Sequence, residues 1–162
     1  MTGLQSGAAA TGGWVRLPAV LEQVEQTVTV LHGYLNRQPV CVSDFEFDLL
    51  CFEALSNAVR HGCASDPARR VTADLEVTGD AVILTITDDG PGFDWRAGTA
   101  ATPSDDATGG RGLWILRRYA DEVRFNDAGN QITIVKHGER RGGPADYTAR
   151  TGRPEREERG PA

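Results

Sequence analysis

The chain has 162 residues with 17 basic and 23 acidic side chains, a formal charge of −6, 40% hydrophobic residues and 19 glycines. That length suits one domain with a core large enough to fold without metals or disulfides, and the acidity argues against direct nucleic-acid binding, where phosphate neutralisation supplies the affinity. No run approaches the roughly 18 apolar residues that span a bilayer and the N-terminus has no signal-peptide pattern. We therefore expect a cytoplasmic protein with no membrane contact and with Cys41, Cys51 and Cys63 reduced, Cys51 in the core.

Residues 1–13 hold Gly3, Gly7, Gly12 and Gly13 among Ala, Ser and Thr, and read as a disordered N-terminal tail. Residues 14–17 look like a short strand. Pro18 suits the first turn of a helix, in which Leu17, Leu21, Val24, Val28, Leu31 and Leu35 form one apolar stripe ending near Asn36, about five turns. A second helix, capped by Ser43 or Asp44, is expected to turn Phe45, Leu49, Phe52, Leu55 and Val59 inward and to end at Gly62 as a C′ residue. Val71 to Val77 and Val82 to Ile86 alternate as two strands about the turn Gly79-Asp80, an antiparallel hairpin. Between Asp88 and Gly112 there is no apolar period, and a gap of that length is usually a functional loop or lid.

A third helix follows with Leu113, Leu116 and Ala120 on one side, then strands at 123–126 and 131–136 around Asp127-Ala128-Gly129. The last 24 residues, 139–162, contain no Val, Ile, Leu, Phe or Trp, and six arginines against five acids. They read as a disordered C-terminal tail, so the body, 14–138, carries a charge of about −7. The order of elements predicts an α+β fold, a two-layer α/β sandwich with helices on one face of a mixed, mostly antiparallel sheet.

Three segments are suited to chemistry. Glu53 and Asn57 stand four apart, one turn above the other on the second helix. A carboxylate beside a carboxamide oxygen begins a hard-cation site that phosphates complete; the same spacing also fits an exposed polar pair. Asp88-Asp89-Gly90-Pro91-Gly92-Phe93 leaves the end of a strand, where an acid can accept from an exocyclic amine and glycines let backbone approach a flat ring; an ordinary turn has the same composition. Gly109-Gly110-Arg111-Gly112 opens into a helix whose free N–H groups and dipole suit phosphate oxygens, with Arg111 adding charge. It is neither a P-loop nor a dinucleotide fingerprint, and alone it fits a hinge.

In chain order and spacing, the three together resemble the GHKL ATPase superfamily. Glu53-Ala54-Leu55-Ser56-Asn57-Ala58-Val59-Arg60-His61-Gly62 is similar to its N box, Asp88 to Asp94 to its first glycine box, and Gly110-Arg111-Gly112-Leu113 to its second. The resemblance spans roughly residues 14–137 and implies its histidine-kinase-like ATPase fold. The compact length, the N-box form and the run from Gly112 to Val123 are most similar to bacterial anti-sigma serine/threonine kinases of the partner-switching type.

The resemblance implies ATP and Mg²⁺ as ligands, with Asn57 holding the metal and Glu53 acting as general base. Asp88 would bind the adenine amine, with Gly90 and Gly92 shaping its pocket. Gly110, Gly112 and Leu113 would cradle the phosphates under a lid of residues 94–109, and Arg60 and Arg111 would face them. Arg60 also fits a solvated helix charge, and His61 reads as a packing residue. Either Gln131 or Thr133 would border the adenine pocket. The implied activity is phosphorylation of a STAS-type anti-anti-sigma partner combined with sequestration of a sigma factor. The implied assembly is a homodimer, which the helix-one stripe also suggests unless that stripe is core. A nucleotide-binding module that sequesters its partner without phosphoryl transfer is the alternative, and a hydrolytic ATPase engine a third. Sensor histidine kinases usually place Asn where Glu53 stands and carry a phosphoacceptor histidine; neither His32 nor His137 has that setting.

Overall fold

The computed structural model describes residues 3–94 and 111–141. In chain order, β1 (Gln5–Ala9) and β2 (Gly12–Pro18) precede a 3-10 turn, Leu21–Gln23, which leads into α1 (Val24–Leu35). Next come β3 (Val40–Cys41) and α2 (Asp44–Asn57), which runs on as a π turn, Ala58–Gly62. Then follow β4 (Arg70–Thr78), β5 (Ala81–Asp88), α3 (Arg111–Tyr119), β6 (Glu122–Phe125), β7 (Gln131–His137) and β8 (Glu139–Arg140). Six strands form one sheet in the order β1-β2-β4-β5-β7-β6. Every neighbouring pair is antiparallel, so no parallel pair is seen among the described residues.

One face of this sheet is buried. Val71, Ala73, Leu75 and Val77 of β4, Val82, Leu84 and Ile86 of β5, and Ile132 and Ile134 of β7 all join the core. Alternate residues of these strands are exposed or half-buried, the period of two that a half-buried sheet requires. Val24, Val28, Leu31 and Leu35 of α1 pack into the same core. The α1 stripe is therefore consumed within the monomer, and it no longer argues for a dimer. The expected α+β two-layer architecture is present, with helices over one sheet face.

Several boundaries differ from the sequence expectations. Residues 5–13 are not a tail: β1 pairs with β2 from Gln5↔Arg16 to Ala9↔Gly12. Backbone pairing and glycine contacts hold this segment, which has no aliphatic stripe to announce it. The indole of Trp14 lies against Gly7, and the ring of Tyr34 against Gly13. Pro18 ends β2 instead of starting a helix, and α1 is 12 residues long, a little over three turns. At the other end Glu139 and Arg140 pair with Cys41 and Val40. Arg141 donates to the backbone oxygen of Asn36, so the folded body extends past residue 138. Residues 142–162 lie outside the described residues.

Helix α2, with its π turn, buries Leu55 and Val59 as expected, but its first half is turned from the expected orientation. Its buried side is Phe47, Leu50, Cys51, Ala54 and Leu55, whereas Phe45 is 67% and Phe52 39% exposed. Ser43 is the N-cap, its hydroxyl accepting from the Glu46 N–H at 3.3 Å. Across the helix pair, the His32 ring of α1 lies between the carboxylates of Asp48 (2.7 Å) and Asp44 (3.3 Å). Replacing Ser43 with Ala leaves a first-turn N–H to solvent and is expected to cost about 1 kcal/mol, measurable as a lower urea midpoint with an unchanged m-value.

Candidate nucleotide site

The site is built where α2, the end of β5 and the start of α3 converge. Glu53 and Asn57 are half-buried on α2, and α3 crosses them at Gly112. A Cβ at Gly112 would stand 2.7 Å from Asn57 Nδ2, 3.0 Å from Asn57 Oδ1 and 3.0 Å from Glu53 Oε2. A side chain there would push the Asn57 amide and the Glu53 carboxylate out of this arrangement, so glycine lets the first turn of α3 approach both polar groups as they stand. The free N–H groups of that turn, with the helix dipole behind them, therefore lie beside a carboxylate and a carboxamide, an arrangement suited to phosphate oxygens and a hard cation. Arg111, the first residue of α3, is exposed, and Leu113 is half-buried. Gly110 and the lid residues 95–109 lie outside the described residues.

Asp88 closes β5 on the buried side of the sheet, in phase with Val82, Leu84 and Ile86, and is only 8% exposed. Burial raises its carboxyl pKa above the ordinary value, and the neighbouring Asp89 adds to this; the Gly90 N–H bond and Arg69 act in the opposite sense. Its Oδ1 accepts from the Gly90 N–H at 2.8 Å. Its Oδ2 accepts no hydrogen bond among the described residues, which leaves it available to an exocyclic amine.

Gly62 is not the C′ residue of α2. The left-handed residues after the helix are Ala64 and Ser65, and a side chain on Gly62 would overlap the Asp88 carboxylate. A side chain on Gly90 would overlap the Gly62 carbonyl. The end of α2 and the first glycine box are thus fitted to each other. The start of β4 links to both segments: Asp89 N donates to Arg70 O at 3.1 Å, Arg70 N donates to Asp89 Oδ2 at 3.0 Å, and the Cys63 thiol donates to Arg70 O. Gly92 has φ +78 and abuts the Ala128 carbonyl, so the box also leans on the β6–β7 turn. There the Phe93 and Phe125 rings meet edge-on at 5.5 Å.

Of the two last-strand candidates, neither shares the sheet face of Asp88. Gln131 donates to the Thr87 hydroxyl and Thr133 lies 3.5 Å from that of Thr85, on the sheet face opposite Asp88. The turn residue bonded to Asp88 is Asn130: its carbonyl accepts from Asp88 N at 2.9 Å and its Nδ2 donates to Asp88 O at 3.3 Å. Asn126 orders this turn, its Oδ1 accepting from the N–H groups of Gly129, Asn130 and Gln131. Sequence reasoning missed both asparagines. Arg60 is exposed on the π turn, and His61 is exposed as well, so His61 is not a packing residue.

The α3 helix is anchored at its far end. Lys136 Nζ donates to the Tyr119 carbonyl at 2.8 Å and pairs with Glu46 at 2.9 Å, tying β7 to the end of α3 and the start of α2. Substituting Lys136 by Met is expected to cost about 2 kcal/mol, seen in chemical denaturation, and to weaken ATP binding because the first turn of α3 loses its setting against Asn57.

No helix is long and apolar enough to cross a membrane among the described residues. Nor does any cluster of three His, Cys, Asp or Glu side chains fit a metal there. A cation at Asn57 could complete its shell with phosphate oxygens, since a magnesium ion takes only one or two protein ligands.

This fold, with a helix-borne Glu and Asn facing a glycine-led helix and a buried Asp at a strand end, defines a nucleotide-binding domain. The chain belongs to the histidine kinase-like ATPase domain family, which residues 17–136 match. It is 29% identical over 117 residues to an anti-sigma F factor of Anoxybacillus flavithermus, covering 68% of this chain and 80% of that protein. It is 28% identical over 138 residues to the serine-protein kinase RsbW of Bacillus subtilis, covering 78% and 86%. With the RsbW of Bacillus licheniformis it shares 26% identity over 132 residues, 75% and 82% of the two chains.

Proposed function

We propose that the chain is an ATP- and Mg²⁺-dependent serine/threonine protein kinase that phosphorylates a STAS-type anti-anti-sigma partner and sequesters a sigma factor. The observation that carries the reading is the placement of Glu53 beside Asn57 against the first turn of α3. The names of the relatives, an anti-sigma factor and two serine-protein kinases, support it. The reading places the protein in the cytoplasm.

Phosphoryl transfer asks the protein mainly for positioning and charge stabilisation. Asp88 Oδ2 accepts from the adenine amine and fixes one end of ATP. The N–H groups at the start of α3, with Arg111, hold the phosphates at the other. Asn57 Oδ1 would hold Mg²⁺, which when bound neutralises charge on the phosphate oxygens. Glu53 takes the proton from the partner's serine hydroxyl as its oxygen bonds to the γ-phosphorus and the bond to ADP breaks.

The test is to incubate the chain with γ-labelled ATP and each purified STAS-domain protein of its source genome. Label on a serine or threonine of one of them, lost with Glu53→Ala, is the expected result. Transfer that survives the substitution overturns the role of Glu53. ATP binding with no transfer to any candidate favours instead a module that sequesters its partner without chemistry.

A further inference from the structure

The outer side of α3 is unlike the rest of this acidic chain. Arg111, Trp114, Arg117 and Arg118 recur at helical spacing on one side and are all exposed, while Leu116 faces the core. Trp114 is 49% exposed. Arg111, Arg117 and Arg118 form no ion pair among the described residues, and α3 carries no acid. Phe45 of α2 meets Tyr119 at the end of α3 edge-on at 6.4 Å and is itself 67% exposed. The helix dipole favours cations at Arg117 and Arg118, but it does not account for an indole held in water beside them.

We propose that this face, Trp114, Arg117 and Arg118 with Phe45, docks the protein substrate, and that the substrate meets it with an acidic surface around an apolar side chain. The inference rests on the kinase reading above. Exposed Trp and Arg are the residue types that dominate interface energetics. In a chain of charge −6, a local cluster of arginines selects an acidic partner by complementarity and by steering its approach. A polyanionic nucleic acid fits less well, because the chain as a whole repels it and the cluster neutralises few phosphates. The position is also right: α3 meets Glu53 at Gly112, and at 1.5 Å per residue Arg118 lies about 9 Å further along the helix. A partner seated here can present a neighbouring loop serine to Glu53.

The test uses the full chain, the R117E/R118E and W114A variants, and the same purified STAS-domain proteins. Circular dichroism and ATP affinity check that the variants fold. The expected result is a KM for the protein substrate raised about tenfold or more in each variant, with kcat at saturating substrate and ATP affinity within about twofold of wild type. Association should slow with added salt for wild type more than for R117E/R118E. An unchanged protein KM overturns the proposal. If wild type transfers no phosphate yet binds a STAS-domain protein, weaker binding by R117E/R118E upholds the docking face while the kinase reading falls. Wild type binding none of these proteins overturns it, as does tight binding of a control oligonucleotide abolished by the same charge reversal.

Discussion

Replacing Glu53 with Gln is expected to slow phosphoryl transfer to the partner protein by about 10²- to 10⁴-fold, the usual worth of a positioned base. The same change should leave ATP affinity within about twofold. Gln keeps the length and polarity of the side chain, so the close contact with Gly112 survives, but the amide has no basic oxygen to receive the hydroxyl proton. A fall in kcat without a change in ATP affinity, read by single-turnover transfer and by calorimetry, separates this from damage to the pocket. Gly112→Ala provides the contrast. Its Cβ would crowd Asn57 and Glu53 together, and both binding and turnover should suffer.

The second large effect is expected at Asp88. In Asp88→Asn one position must still accept from Gly90 N–H, so the amide oxygen turns there and the NH₂ faces the adenine amine, donor against donor. ATP affinity should fall about 10- to 100-fold, the cost of a buried donor left unpaired. Without nucleotide the sign reverses. Burial raises the Asp88 pKa in the folded state, so the native protein binds this proton more tightly than the unfolded chain does. Its contribution therefore favours folding below the ordinary carboxylate range, about pH 4, and is lost as pH rises through the raised native value. Above that value the ionised side chain is a constant cost. Asp88→Asn removes it, and the nucleotide-free variant should melt at a higher temperature than wild type at pH 7, with the difference shrinking as pH falls. A variant that melts lower at pH 7 would show that the buried charge is not a cost.

The candidate site could be proposed from the sequence because the chemistry it suits falls to residue types with few substitutes. Glu53, Asn57, Asp88 and the glycines are spaced by the geometry of a helix turn and a strand end, and their order along the chain is itself informative. The orientation of α2 was only partly legible. Leu55 and Val59 are buried as their period implies, but the first half of the helix has two apolar stripes, one through Phe45, Leu49 and Phe52 and the other through Phe47, Leu50, Cys51 and Ala54, and periodicity cannot choose between them. Packing selects the second, whose small Cys51 and Ala54 allow close approach, and leaves two phenylalanines toward solvent. The first strand was hidden for a related reason. Gln5 to Ala9 hold no β-branched or aromatic residue, and their order comes from backbone pairing to β2. Asn130 was overlooked because its contribution is to hold the Asp88 backbone, which no residue pattern announces.

The β4–β5 hairpin limits how this protein can diverge. Thr78↔Ala81 and Val77↔Val82 leave only Gly79 and Asp80 in the turn, with Gly79 at φ +65. Asp88 reaches the buried face of the sheet only because it is an even number of residues beyond Val82. One residue inserted or deleted within β5 would carry its carboxylate to the opposite sheet face. A single-codon insertion or deletion between Val82 and Asp88 would therefore remove the adenine contact proposed for Asp88 while leaving every candidate side chain present in the gene.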